Sequence, residues 1–177
     1  MGIRVSVQVP DGTFISITDN TFQSKAIFNF LSPVILSCLD IESDDEKVSE
    51  GVNWIAELRS QMSEDICLLQ KALWGYWEYS KNDYDQYLLD YESMVGGLPK
   101  MTYERFLEEC KAEEASWIDT LSLKNTVDDL VKVLENIDDE ESWFYYPEAT
   151  IKDFKDLSLA LEIALKGNQS KARLWTS

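Results

Sequence analysis

The run Asp138-Asp139-Glu140-Glu141-Ser142-Trp143-Phe144-Tyr145-Tyr146-Pro147 sets four acids, then one serine, before four aromatic side chains. That pairing suits recognition chemistry. Carboxylates pair with lysine or arginine in a basic cleft, and Trp and Tyr rings bury large areas at low entropic cost. The same residues also allow a plainer role, with Trp143 and Phe144 tucked under as core and the acids solvated. Helix signals flank the run, so it is a connection, and connections cross the surface, where large rings are normally avoided. Asp138, Asp139, Glu140, Glu141, Trp143, Tyr145 and Tyr146 are therefore expected to form a partner-binding surface. A second run, Trp74-Gly75-Tyr76-Trp77-Glu78-Tyr79, crowds four rings into six positions. It adds Trp77 and Tyr79 as candidates.

Catalytic chemistry is harder to assemble. Histidine, the commonest general base and a frequent metal ligand, does not occur in the chain. There is no glycine-rich phosphate loop, no Gly-x-Ser-x-Gly elbow and no Cys-x-x-Cys pair. Asp83-Tyr84-Asp85 resembles the start of a calcium loop but lacks the glycine and the closing glutamate such a loop needs. Carboxylate pairs can be drawn from any acidic chain, so they do not single out glycoside hydrolysis. No catalytic, cofactor or metal site is expected, and the chain reads as a binder, not an enzyme.

Charge narrows the partner. The chain carries 33 acidic and 16 basic residues, a formal net charge of −17. A field of that sign repels nucleic acid and anionic membrane and steers cationic proteins inward. The alternative is a solvated acidic surface that serves solubility alone. The longest apolar stretch, residues 26–39, is broken by Asn29, Ser32, Pro33 and Ser37, so no membrane span is expected. The opening residues lead straight into a strand pattern without a signal-like segment. Cys38, Cys67 and Cys110 are widely spaced within apolar helical pattern. They read as buried thiols in a reducing cytoplasm and not as a disulfide framework or zinc site.

The elements that must position these residues follow from periodicity. Ile3, Val5, Val7 and Val9 alternate with polar residues, Pro10-Asp11-Gly12 supplies a turn, and residues 13–18 are rich in β-branched residues. This is a hairpin. Asn20 and Thr21 can cap a helix from Phe22 to Leu39 that lies across it, with Pro33 inside. Ile41 to Glu50 holds Glu42, Asp44, Asp45 and Glu46 and reads as an exposed connection. From Val52, apolar residues at helical spacing run through Trp54, Leu58, Met62, Ile66, Leu69 and Leu73, as one long helix or a broken pair.

Helical pattern continues through Tyr84, Tyr87 and Tyr91 to a hinge at Gly96-Gly97-Leu98-Pro99, and Thr102 caps the next helix. Thr126 with Asp129 is a capping pair expected to open Val127 to Ile137, and Thr150 with Asp153 is expected to open the last helix, which Gly167 is placed to end. The expected class is α+β: an N-terminal β-hairpin, at about residues 3–18, packed against a mostly helical single domain spanning 1–177, with a flexible tail at about 168–177. Core stripes this complete predict a fold independent of metal, cofactor and disulfide.

Several stretches carry a family likeness. Met1-Gly2-Ile3-Arg4-Val5 opening the hairpin, Phe28-Asn29-Phe30-Leu31 and Gly97-Leu98-Pro99-Lys100-Met101-Thr102-Tyr103-Glu104 are three of them. Leu134-Glu135-Asn136-Ile137 followed by Trp143, and Asp153-Phe154, are the others. Together they resemble the immunity protein 70 family of small bacterial proteins that accompany polymorphic and contact-dependent toxins. The stretch Trp74 to Tyr91 and the acidic loop from Glu42 depart from that pattern. The resemblance implies a cytoplasmic antidote that binds the toxic C-terminal domain of a delivered effector, most often a nuclease, and blocks its active site. An acidic adaptor or chaperone-like regulator is the rival reading, and a carboxylate-dependent enzyme the third.

Overall fold

The computed structural model describes residues 5–16, 24–74 and 117–176. It is an α+β fold in which a small, mostly antiparallel sheet is packed by helices. The hairpin is present as β1 (Val5–Gln8) and β2 (Phe14–Ser16), antiparallel with Val7 opposite Ile15. Its turn closes through Gly12 N–H to the Val9 carbonyl at 2.9 Å, with Gly12 at φ +89°, a conformation that glycine adopts without penalty. Val5, Val7 and Val9 are buried, as the alternation predicts. Ile3 and Thr18, the expected outer limits, lie outside the described residues.

Five helices are described. α1 (Ser24–Cys38) contains Pro33 and buries Ile27, Phe30, Leu31, Val34 and Ile35. α2 (Glu46–Gln61) and α3 (Cys67–Ala72) are the broken pair. β3 (Leu73–Trp74) and β4 (Ile118–Asp119) follow, then α4 (Thr120–Glu135), α5 (Pro147–Lys166) and β5 (Lys171–Thr176). Phe30 of α1 joins the layers, with ring centroids 5.3 Å from Phe154 of α5 and 6.0 Å from Trp54 of α2. Against this core lie Val5 and Val7 of β1 and Ala172 and Leu174 of β5.

The structure corrects several expectations. The flexible tail is instead β5, the strand on which the sheet depends. It pairs antiparallel with β1 and β4 and parallel with β3. Its alternation explains this: Ala172 and Leu174 face the core, while Arg173 is buried on the other face, its Nε donating to Gln8 Oε1 at 2.7 Å and its guanidinium 4.2 Å from the Trp117 ring. The acidic connection at 41–50 is in part the start of α2. Asp45 caps that helix by accepting the Val48 N–H at 3.1 Å, and Val48 is buried.

Both expected capping pairs are displaced from their own helices. α4 begins at Thr120, where Asp119 accepts from the Ser122 hydroxyl at 2.8 Å and the Ser122 N–H at 2.9 Å, bonds that together lower the Asp119 pKa. Asp129 instead accepts Ser63 and Glu64 N–H, both at 2.8 Å, holding the α2–α3 turn. α5 begins at Pro147, a turn ahead of Thr150, and Asp153 accepts the Ile27 N–H in the first turn of α1. Gly167 does end α5, though the left-handed residue is Asn168 at φ 60°.

Cys38 and Cys67, expected as separate thiols, are joined in a disulfide that ties the end of α1 to the start of α3, Cα to Cα 5.6 Å. The sequence separation of 29 residues hid a spatial contact that the α1–α2–α3 packing creates. Cys110 lies outside the described residues, as do the hinge near Gly96, the helix expected after Thr102, and Asp83 and Asp85.

Candidate functional site

The acid-aromatic run is the connection between α4 and α5, as its flanking helix signals indicate. A tight turn shapes its second half: Ser142 N–H donates to the Tyr145 carbonyl at 2.9 Å, and the Tyr145 N–H donates to Ser142 Oγ at 3.2 Å. Its acids and rings then part company. Asp138, Asp139, Glu140 and Glu141 are exposed. Phe144 is buried, and Tyr145 is only 1% exposed, among the most deeply buried large side chains described.

Tyr145 is therefore core and cannot be the anchor that the sequence suggests. Its ring centroid lies 5.0 Å from Trp54 and 6.1 Å from Phe30. Burial, and then the charge of Asp139, raise its pKa above the usual tyrosine value. The block of acids followed by a block of rings conceals this, because a connection that lies against a helix buries its rings beneath its charges.

The helix beneath is α2. Trp54 Nε1 donates to Asp139 Oδ2 at 2.7 Å, and its ring packs edge-on against Phe144 at 5.3 Å. Trp143 is half-buried: its Nε1 donates to the Lys47 carbonyl at 3.3 Å, and its ring lies across Gly51. A Cβ on Gly51 would sit 3.1 Å from Trp143 Cζ2 and 3.4 Å from the Pro33 Cβ. Lys47, Gly51 and Trp54 thus form a seat at helical spacing, a role absent from the sequence reading, which placed Trp54 in an apolar stripe. A glycine inside a helical pattern signals a close approach, so Gly51 is the one sequence signal that could have located the seat.

This seating packs the acidic connection on a helix that carries exposed acids of its own. Glu46, Glu50 and Glu57 are exposed on α2, each one position before a residue of the stripe 47, 51, 54, 58. At 100° per residue they lie to one side of that stripe, and the stripe itself is where the connection's rings pack. Asp139 is engaged with Trp54; Asp138, Glu140 and Glu141 complete the acidic face.

Where the connection enters α5, a cleft of about 650 Å³ opens between Glu141, Tyr146, Pro147, Glu148, Ala149 and Lys152. Tyr146 is half-buried, its N–H donating to Thr150 Oγ1 at 3.2 Å. Of the predicted residues, then, Glu141 and Tyr146 meet in one cleft. Trp77 and Tyr79 lie outside the described residues. Among the described residues no three acids or cysteines converge as metal ligands, and no helix is long and apolar enough to cross a membrane. No protein-family model matches the chain, and no curated protein or solved structure matches it.

Proposed function

We propose that this chain is an immunity protein that binds and occludes a basic toxin domain of the nuclease class without doing chemistry itself; the Cys38–Cys67 disulfide removes the free-thiol argument for a reducing compartment. The observation that carries the reading is the acidic face. Four exposed acids of the α4–α5 connection stand on an aromatic seat beside exposed acids of α2, in a chain of net charge −17. Nuclease domains are basic because they grip phosphate, so such a face offers both attraction at a distance and a mimic of the substrate's charge. Because the seat holds the connection before binding, little ordering entropy is lost on association. The resemblance to the immunity protein 70 family implies the same role, although no family model matches the chain.

Tyr145 leaves the proposed contact set because it is buried. Asp138, Glu140, Glu141, Tyr146 and the accessible edge of Trp143 remain. The test is co-expression with the product of the adjacent gene, followed by co-purification and a nuclease assay of that product. The two should purify together with nuclease activity suppressed, and replacing Asp138, Glu140 and Glu141 by their amides should weaken the complex. A toxin domain left fully active and unbound would refute the assignment.

A further inference from the structure

The cleft at the entry to α5 has a chemistry of its own, and the geometry points to its occupant: an arginine-bearing loop of the partner. The inference rests on the reading that the partner is a basic protein, and it names the point of entry. The cleft, about 650 Å³, falls in the range of small-ligand and side-chain pockets. Its lining is divided. Tyr146, Pro147 and Ala149 provide apolar wall, and Glu141 and Glu148, both exposed, provide carboxylates. Lys152, the basic residue among the described lining residues, is bound to Asp156 at 2.8 Å, so its charge is offset within α5.

This combination selects among occupants. An anion would face two carboxylates. A second copy of the chain would bring another −17 charge against the first. A guanidinium finds what it requires: a ring on which to stack, apolar wall for its methylene stem, and carboxylates for its N–H fork. The cleft is also held in shape before any partner arrives. Glu141 directly precedes the Ser142–Tyr145 turn, and the Tyr146 backbone is bonded to Thr150 at 3.2 Å. Arginine is favoured over lysine because a planar cation stacks on the ring and binds a carboxylate with two N–H groups, whereas an ammonium offers only a point charge to each.

The experiment titrates the intact protein, followed by amide NMR, with a capped hexapeptide containing two arginines. Counterparts with lysine or glutamate in their place serve as comparisons. Shifts should concentrate at Glu141, Tyr146, Glu148 and Ala149, weaken with lysine and vanish with glutamate. Ala149→Trp, which fills the cleft from an exposed position, should weaken arginine-peptide binding by roughly tenfold or more. The pair Glu141→Gln and Glu148→Gln, which alters no shape, should do the same and decides the matter if Ala149→Trp perturbs folding. Shifts spread evenly over residues 46–57 and 138–140, or binding unchanged in these variants, would overturn the proposal. A toxin domain that bound wild type and Ala149→Trp equally would refute the cleft while leaving the antidote reading intact. Peptide binding in the cleft without any toxin complex would do the reverse.

Discussion

Replacing Asp153 by asparagine should make the protein more stable at neutral pH, although it alters a residue that caps a helix. Asp153 is 2% exposed. One carboxylate oxygen accepts the Ile27 N–H, and Oδ2 has no hydrogen-bond partner among the described residues. Burial raises its pKa from 3.8 to about 6, against the smaller opposing effects of the Ile27 N–H and Lys152, while Asp156 adds to the rise. At ~1.36 kcal/mol per unit, keeping this group ionised costs the folded state roughly 3 kcal/mol above the folded pKa. Asparagine keeps an acceptor for Ile27 and removes the charge, but it buries an amide donor that costs roughly 1 kcal/mol or more. The net gain should be ~1–2 kcal/mol.

The sign of the pH dependence follows from proton counting. Between 3.8 and about 6 the folded state holds more protons at Asp153 than the unfolded state does. Its contribution is therefore fully present below 3.8 and lost as pH rises through about 6. Urea unfolding of wild type and Asp153→Asn across that range isolates the effect in the difference between the two curves. The variant's advantage should appear as pH rises and level off above the folded pKa. A variant less stable than wild type at neutral pH, or a difference that did not change with pH, would refute the reasoning.

Three further outcomes follow from the packing. Gly51→Val should cost ~1–3 kcal/mol and shift the Trp143 indole N–H resonance, because the side chain would occupy the space of that ring. Replacing both Cys38 and Cys67 by serine opens a loop of 29 residues, which should cost up to about 3.6 kcal/mol by the chain-entropy relation, read from thermal unfolding. Unchanged stability would show that the fold stands without the bond, as the sequence suggests. Truncation after Ser170 removes the strand that pairs with β1, β3 and β4 and should leave no cooperative unfolding transition.

How much was legible in the sequence depended on whether a signal was local. The β1–β2 hairpin is visible because Val5, Val7 and Val9 alternate and Gly12 marks the turn. The α1 stripe and the end of α5 at Gly167 are legible for the same reason. The capping pairs misled because the motif records which side chains can accept N–H bonds and not whose. Asp129 serves the α2–α3 turn and Asp153 serves α1, both across long sequence separations. β5 was missed because a short strand with a charged residue at its centre looks like a tail until Arg173 finds Gln8 and Trp117. At the candidate site, composition located the acidic connection and its exposed charges. The burial of Tyr145 and the seat at Trp54 depend on how α2 packs beneath it, which no local pattern encodes.

If the acidic face captures a basic toxin domain, the association rate with that domain must fall as salt is raised. Opposed fields are screened over roughly 10 Å at 0.1 M salt. The rate should fall steeply from low to high salt, by roughly tenfold or more, with a shallower fall once Asp138, Glu140 and Glu141 are converted to amides. A rate that ignored salt in both proteins would contradict the account, because the charges that distinguish this surface would then play no part in finding its partner.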